Sequence, residues 1–238
     1  MNTPTLIGLV GKKRAGKDSF ASALVDDHGF ARVAFADPLK AVVYGLDPWV
    51  KIEQDETGPM LEAGFPPGAT RRGGEGFPSR LRYIVDAIGW ERAKEVREVR
   101  RLLQAHGVAI REHVDPEVWV DAAMRKVHRI RTSAHPRECP DCGGIAFYPP
   151  FQWCGDPAQH EDAEGVPVVV TDVRFPNEAD AIRAAGGKLV RITRPGLVST
   201  DAHVSETALD DYEVDAHVVN AGTLESLRAQ ARVTVTLL

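Results

Sequence analysis

Short apolar runs alternate with stretches whose apolar residues recur at helical spacing. The first run, 6–10 (LIGLV), is continuous, and Phe20, Leu24 and Val25 after it mark a helix over 17–27. A second run, 32–36 (RVAFA), leads into ADPLKAVVYGL, where Asp37 can cap a helix and Pro38 suits its first position. Helical patterning returns over 80–106, with Gly107 as its stop, and again over 116–130. Residues 166–171 (VPVVVT) form another continuous run, as expected of a parallel strand buried on both faces. A helix over 177–185, a strand over 188–192, a short strand near 217–220 and an amphipathic helix over 224–231 complete the series. This alternation predicts an α/β fold. Two stretches fall outside it. Residues 47–79 are rich in Gly and Pro and predict a mobile loop, and 131–165 carry Pro, Cys and Gly with little periodicity.

The junction between the first strand and the first helix reads GKKRAGKDS. Gly11 and Gly16-Lys17 have the spacing of a phosphate-binding loop. Glycines let the backbone turn sharply and bring its N–H groups against phosphate oxygens. The helix that follows adds the positive end of its dipole, and Lys17 can reach the β- and γ-phosphates. A Gly-rich turn that binds nothing is the plain alternative, but the flanking strand and helix argue against it. The loop departs from the usual pattern at one position, since Asp18 rather than Ser or Thr follows the lysine, with Ser19 next. A carboxylate beside a triphosphate needs a cation between them, so Asp18 is a candidate Mg²⁺ ligand, directly or through water. Lys12, Lys13, Arg14 and Lys17 crowd the same loop. That many cations suit transfer between two phosphorylated molecules, because charge builds up on the moving phosphoryl group.

The 166–171 run ends in Asp172, followed by Val173 and Arg174. An acid at the C-terminal end of a buried parallel strand stands where open α/β sheets bind ligands, and it can orient Mg²⁺ or its water shell. The plain alternative is a helix-capping Asp followed by a surface Arg. Within 131–165, Cys139 and Cys142 form a knuckle-like CPDC turn, and Cys154 and His160 follow at spacings that suit a tetrahedral Zn²⁺ site. His135 is the rival fourth ligand. Structural Zn²⁺ would fold an insertion too small to bury its own core. A loop with free thiols is the alternative, and a redox role is disfavoured because no thioredoxin-like strand precedes the turn.

The chain has 238 residues, 43% hydrophobic and 26% charged, which is ordinary for a soluble globular protein. Its net charge of −5 disfavours general binding to a nucleic-acid polymer. No apolar run is long enough to span a membrane. MNTPTLIGLVG leads into the first strand without a basic leader, which points to the cytoplasm. Three cysteines do not suggest a disulfide framework.

Taken together, GKKRAGKDS, FADPLK, RRLLQ, DPEVWV, VVVTDVRFPNEAD, HVSETALDD and VVNAGTLESL resemble the phage deoxynucleoside monophosphate kinases, of the P-loop nucleoside monophosphate kinase superfamily. The resemblance covers most of the chain outside 47–79 and 131–165. It implies transfer of the ATP γ-phosphoryl group to a dNMP, giving dNDP and ADP. It implies a five-stranded parallel sheet in order 2-3-1-4-5, built from 1–36 and 166–238. Residues 37–130 would be a helical insertion holding the acceptor nucleotide and about 194–213 a lid, while 131–165, read from its cysteines as a zinc-binding insertion, departs from the family pattern. Gly11, Lys13, Arg14, Ala15, Gly16, Lys17, Asp18 and Ser19 would hold ATP, with Asn220 and Gly222 near its adenine. Asp18, Ser19 and Asp172 are the Mg²⁺ candidates. Arg14, Arg174 and Arg194 would clamp the transferring group. Lys40, Arg100, Gln104, Arg111 and Arg174 would meet the acceptor. A host-cytoplasmic location and a homodimer are expected only by analogy.

Two rival readings stay open on the sequence. The GKD loop is shared with animal-type phosphomevalonate kinases, so another small phosphorylated acceptor fits it. A non-kinase nucleotide switch, with the cysteine segment as adaptor, is the alternative of another class. The missing basic stripe counts against it.

Overall fold

In the computed structural model, residues 5–62, 64, 77–132, 165–197 and 208–238 are described. The chain divides into two units, residues 1–35 with 120–238, and residues 36–119.

The first unit is built on five parallel strands. These are β1 (Leu6–Val10), β2 (Ala31–Val33), β5 (Val168–Val173), β6 (Lys188–Thr193) and β7 (Ala216–Val219). Their order in the sheet is β2-β5-β1-β6-β7, which is 2-3-1-4-5 when these strands alone are counted. That is the order the resemblance implied. β1 is buried throughout because it is central and covered on both faces. Alternation along each strand sorts its side chains between two cores. Ile7, Leu9, Val169, Val190 and Ile192 pack with Phe20 and Leu24 of α1 (Lys17–His28) and Leu227 and Ala231 of α8 (Leu224–Leu237). Leu6, Val10, Val168, Val170 and Leu189 pack with Ala179 and Ile182 of α7 (Pro176–Ala184) and Val120, Ala123 and Val127 of α6 (Val118–Thr132). The sheet thus lies between two helical layers. Residues 120–132, patterned as part of the helical insertion, cover this sheet through those three apolar side chains.

The β1–β5 pairing slips near the end of the strands. Gly8 faces Val170 and Val10 faces Val173, so Thr171 and Asp172 stand opposite Leu9 alone. An extra residue of this kind bends a strand and re-aims the side chains beside it.

The second unit contains α2 (Asp37–Leu46), β3 (Trp49–Ile52), α3 (Gln54–Glu62), β4 (Phe77–Arg80), α4 (Leu81–Ala93) and α5 (Arg97–His113). Val43, Ile52, Phe77, Ile84, Val99 and Leu102 form its core.

Several sequence expectations need correction here. The expected loop over 47–79 contains β3, α3 and β4, with β3 and β4 paired antiparallel from Trp49↔Arg80 to Ile52↔Phe77. Gly107 does not stop a helix, since α5 runs on to His113. Gly107 is buried, and a Cβ there would stand 3.1 Å from Leu39, while its carbonyl accepts from Trp119 Nε1 at 3.1 Å. Its missing side chain serves packing rather than termination. Asp37 lies inside the first turn of α2, after an Ala36 N-cap. β2 ends at Val33, and α8 continues six residues past the expected 231.

Candidate functional site

The loop after β1 has the backbone that its glycines require. Gly11 has φ 148°, Gly16 φ 108° and Arg14 φ 66°. Gly11 could not carry a side chain, since a Cβ would stand 2.3 Å from the Ile192 carbonyl oxygen of β6. Gly16 is the N-cap of α1 and offers no side-chain cap. The first amides of that helix therefore have no side-chain acceptor at the cap, which is the condition an anion exploits. Lys17 opens the helix and turns back over the loop, donating to the carbonyl oxygens of Gly11 and, at 2.9 Å, Lys12. Asp18 stands one residue on, mostly exposed and paired with Arg32 of β2. An acid in the first turn also suits the helix dipole.

On the neighbouring strand, Asp172 Oδ1 accepts from the Phe35 N–H at 2.7 Å. This ties the end of β5 to the chain leaving β2. Arg174 follows in the turn before α7. That turn is held by Glu178, whose side chain is almost fully buried. Its Oε2 accepts from the N–H of Arg174 at 2.7 Å and of Phe175 at 3.2 Å. The Glu at the third helical position thus reaches back to the N-cap, with Pro176 in the first turn.

A cavity of about 220 Å³ opens beside the loop. Gly11, Lys12 and Ala15 line it from the loop, Arg174 from the turn after β5, and Arg194 and Asp210 from the chain after β6. Arg191 of β6 also lines it, and donates to the carbonyls of Leu209 at 2.6 Å, Asp210 at 2.5 Å and Tyr212 at 2.6 Å. This arginine fixes the returning end of the 194–213 segment, of which 198–207 lie outside the described residues.

The structure thus brings Gly11, Ala15, Arg174 and Arg194 to one cavity, with Gly16 and Lys17 continuing the same loop. Lys13 and Arg14 are exposed on that loop, and Ser19 is half-buried in the first turn of α1. Asn220 lies at the end of β7 and donates through Nδ2 to the Ala15 carbonyl at 2.9 Å. Gly222 lies in the turn before α8, against Ser226. Lys40 belongs to α2, and Arg100, Gln104 and Arg111 to α5, all in the second unit. Those three α5 residues fall on one helical stripe, and all are exposed. Cys139, Cys142, Cys154, His160 and the rival His135 lie outside the described residues. Among the described residues, no group of three or more His, Cys, Asp or Glu side chains is arranged to hold a metal ion.

Three contributors were not anticipated from the sequence. Glu178 was visible only as the acid that follows DVRFPN. Arg191 had a signal, since it is a charge within the apolar strand KLVRIT. Arg32, the partner of Asp18, had none.

A glycine loop between the central strand and the first helix of a 2-3-1-4-5 parallel sheet, with an acid ending the adjacent strand, defines a P-loop nucleotide-binding protein. The comparisons narrow the class. The deoxynucleotide monophosphate kinase family matches residues 156–231. A putative deoxynucleotide monophosphate kinase of Acanthamoeba polyphaga mimivirus is 29% identical over 237 residues, covering 94% of this chain and 93% of that protein. The deoxynucleotide monophosphate kinase of Enterobacteria phage T4 is 36% identical over 70 residues, 29% of each chain. That of Escherichia phage RB69 is 41% identical over 59 residues, 25% of this chain and 24% of its own. The chain is thus similar to deoxynucleotide monophosphate kinases, over most of its length for the mimivirus protein and over shorter stretches for the two phage proteins. No helix among the described residues is long and apolar enough to cross a membrane.

Proposed function

We propose that the protein transfers the γ-phosphoryl group of ATP to a deoxynucleoside monophosphate, yielding dNDP and ADP. The observation that carries this reading is the single cavity lined by the phosphate loop, Arg174 and Arg194. Two arginines facing a phosphate loop exceed what nucleotide binding alone requires. They suit a reaction in which charge spreads over a phosphoryl group in transit.

The uncapped start of α1 and the turned glycines of the loop fit a triphosphate. The backbone of 11–17 would bind it, with Lys13 at the rim. Lys17 would exchange its carbonyl partners for phosphate oxygens. Arg14 and Arg174 would clamp the moving group, and Arg194 would close over it from the 194–213 lid. Gly222 and the backbone near Asn220 would border the adenine. Asp18, Ser19 and Asp172 would hold Mg²⁺, which supplies charge neutralisation between donor and acceptor phosphates when bound. No general base is required, because the attacking phosphate oxygen is already ionised. The second unit would carry the acceptor, through Lys40, Arg100, Gln104 and Arg111. Cys139, Cys142 and Cys154, with His160 or His135, would hold a structural Zn²⁺.

ADP release measured over dAMP, dGMP, dCMP, dTMP and phosphomevalonate tests the reading. Dependence on a dNMP supports it. Turnover only with phosphomevalonate, or slow hydrolysis indifferent to any acceptor, overturns it. Lys17→Ala should remove most activity with an unchanged melting temperature, and full activity in that variant would discard the loop assignment. Metal analysis should find about one Zn per chain. Its absence, with three titratable thiols, would return 131–165 to a plain loop.

A further inference from the structure

The carboxamide of Asn220 is bonded to the phosphate loop rather than held open for a base. Its Nδ2 donates to the Ala15 carbonyl oxygen at 2.9 Å. The same nitrogen lies 2.5 Å from the place a Cβ on Gly16 would occupy. Ala15 is buried, and it stands between two residues of positive φ, Arg14 and Gly16. The bonded carbonyl belongs to the peptide that joins Ala15 to Gly16. In a trans peptide the C=O and N–H point in opposite directions. A group that fixes the Ala15 carbonyl therefore fixes the Gly16 N–H, on the side away from Asn220. That amide stands at the uncapped N-terminus of α1.

Asn220 is itself anchored. Its backbone N–H donates at 2.7 Å to the carbonyl of Thr193, the last residue of β6. One residue earlier on that strand, the Ile192 carbonyl sits against Gly11. The two glycines that define the loop thus rest on the ends of β6 and β7. The loop's shape is set from outside its own sequence, through a contact spanning 205 residues of chain.

We infer that Asn220 is a positioning residue for phosphoryl transfer. Through the Ala15 carbonyl it holds the Gly16 amide in the orientation that receives a nucleotide phosphate. The inference rests on the reading of this loop as the ATP site, and it assigns the Asn220 side chain to the phosphates rather than to the adenine.

The experiment compares the full-length wild type with Asn220→Ala and Asn220→Leu by titration calorimetry. Inorganic tripolyphosphate serves as a phosphate probe without a base, and adenosine as a base without phosphate. Leu preserves volume beside Gly16 while removing the donor, so it guards against a cavity effect in the Ala variant, and melting curves report the fold. Both variants should bind tripolyphosphate about tenfold more weakly, the size of one lost hydrogen bond, with adenosine affinity unchanged. In turnover, the effect should fall on kcat and the KM for ATP, leaving the KM for the dNMP unmoved. Weakened adenosine binding with normal tripolyphosphate binding overturns the inference in favour of a base contact. Equal losses for both probes, or no loss for either, also overturn it. Weaker tripolyphosphate binding by both variants, together with a wild type that phosphorylates no dNMP, would reject the kinase reading and leave standing the role of Asn220 in orienting the Gly16 amide for phosphate.

Discussion

Replacing Glu178 should damage both the fold and the chemistry without touching a substrate group. The carboxylate is almost fully buried, and one of its oxygens accepts from two successive backbone N–H groups, of Arg174 at 2.7 Å and Phe175 at 3.2 Å. Hydrogen bonds to a charged acceptor contribute about 1.5–3 kcal/mol each, and the longer one falls at or below the lower end. Glu178→Ala should therefore cost about 3 kcal/mol, including two amides left without this acceptor. For a chain of this size that corresponds to a fall in melting temperature of roughly 6–12 °C. Glu178→Gln keeps one carbonyl oxygen in place and gives up the charge, so about 1 kcal/mol is expected. The second consequence is kinetic. The same two amides set the turn that carries Arg174 into the cavity, and a misplacement of about 1 Å in a reacting constellation can lower turnover about a hundredfold. Thermal unfolding followed by circular dichroism, alongside the ADP-release assay well below the melting temperature, reads both effects. Glu178→Ala should lose kcat far more than Glu178→Gln, with the KM for ATP changed little. An Ala variant that melts within a degree of wild type and turns over normally would refute the reasoning outright. One that loses stability but keeps kcat would show that Arg174 is aimed by something else.

Three further outcomes follow from the same geometry. Arg191→Lys keeps the charge but cannot hold the carbonyls of Leu209, Asp210 and Tyr212 together, so amide protection over 208–213 should fall in hydrogen exchange, and unchanged protection would remove Arg191 from that role. Asp18→Asn should raise the Mg²⁺ concentration needed for half-maximal activity, and an unchanged Mg²⁺ dependence would take Asp18 out of the metal site. Burial raises the Asp215 carboxyl pKa, but the Leu189 N–H, Lys188 and Arg183 together hold it below its ordinary 3.8. The unfolded chain then takes up that proton first as the solution is acidified. The stabilisation is complete above the unfolded pKa and is lost as pH falls through the lower folded one. The stability gap between wild type and Asp215→Asn in urea unfolding should therefore be constant near neutrality and close below about pH 4, and a gap that widens there would contradict the assignment.

The parts of this molecule that could be read from the chain are those whose residues are neighbours in it. Gly11 to Lys17 carry their own spacing, and the strand before and the helix after them are local patterns. Asp172 was legible because a continuous apolar run ends at it. The second unit was less legible for a physical reason. β3 and β4 have four residues each, and β4 reads FPSR, with Pro78 inside it. A proline normally demotes a run from strand to loop, but a two-stranded ribbon has only edge strands, where a missing N–H is tolerated. Gly107 misled in the same way. Its sequence says helix end, while its use is close approach to Leu39, and nothing local distinguishes the two.

What the chain could not disclose is the set of contacts that aim the site. Asn220 holds the Ala15 carbonyl, Asp172 holds the Phe35 amide 137 residues away, and Glu178 holds the amides beneath Arg174. In each case a polar side chain is bonded to backbone, and one partner of the bond carries or adjoins a group proposed for the phosphate-transfer site. Periodicity is blind to the first two pairs because they join segments far apart in the chain, and to the third because it reports which face of a helix is apolar and not which acid holds the turn before it. Their chemistry also differs from that of the charged groups they support. Loss of Lys17 or Arg194 removes charge from the site, which added salt or an added cation can partly mimic. Loss of Asn220 or Glu178 removes orientation, which no solute replaces. Variants at the two kinds of position should therefore separate by rescue. Guanidinium ion should restore part of the activity of Arg194→Ala and none of that of Glu178→Ala, and equal rescue of both would collapse the distinction.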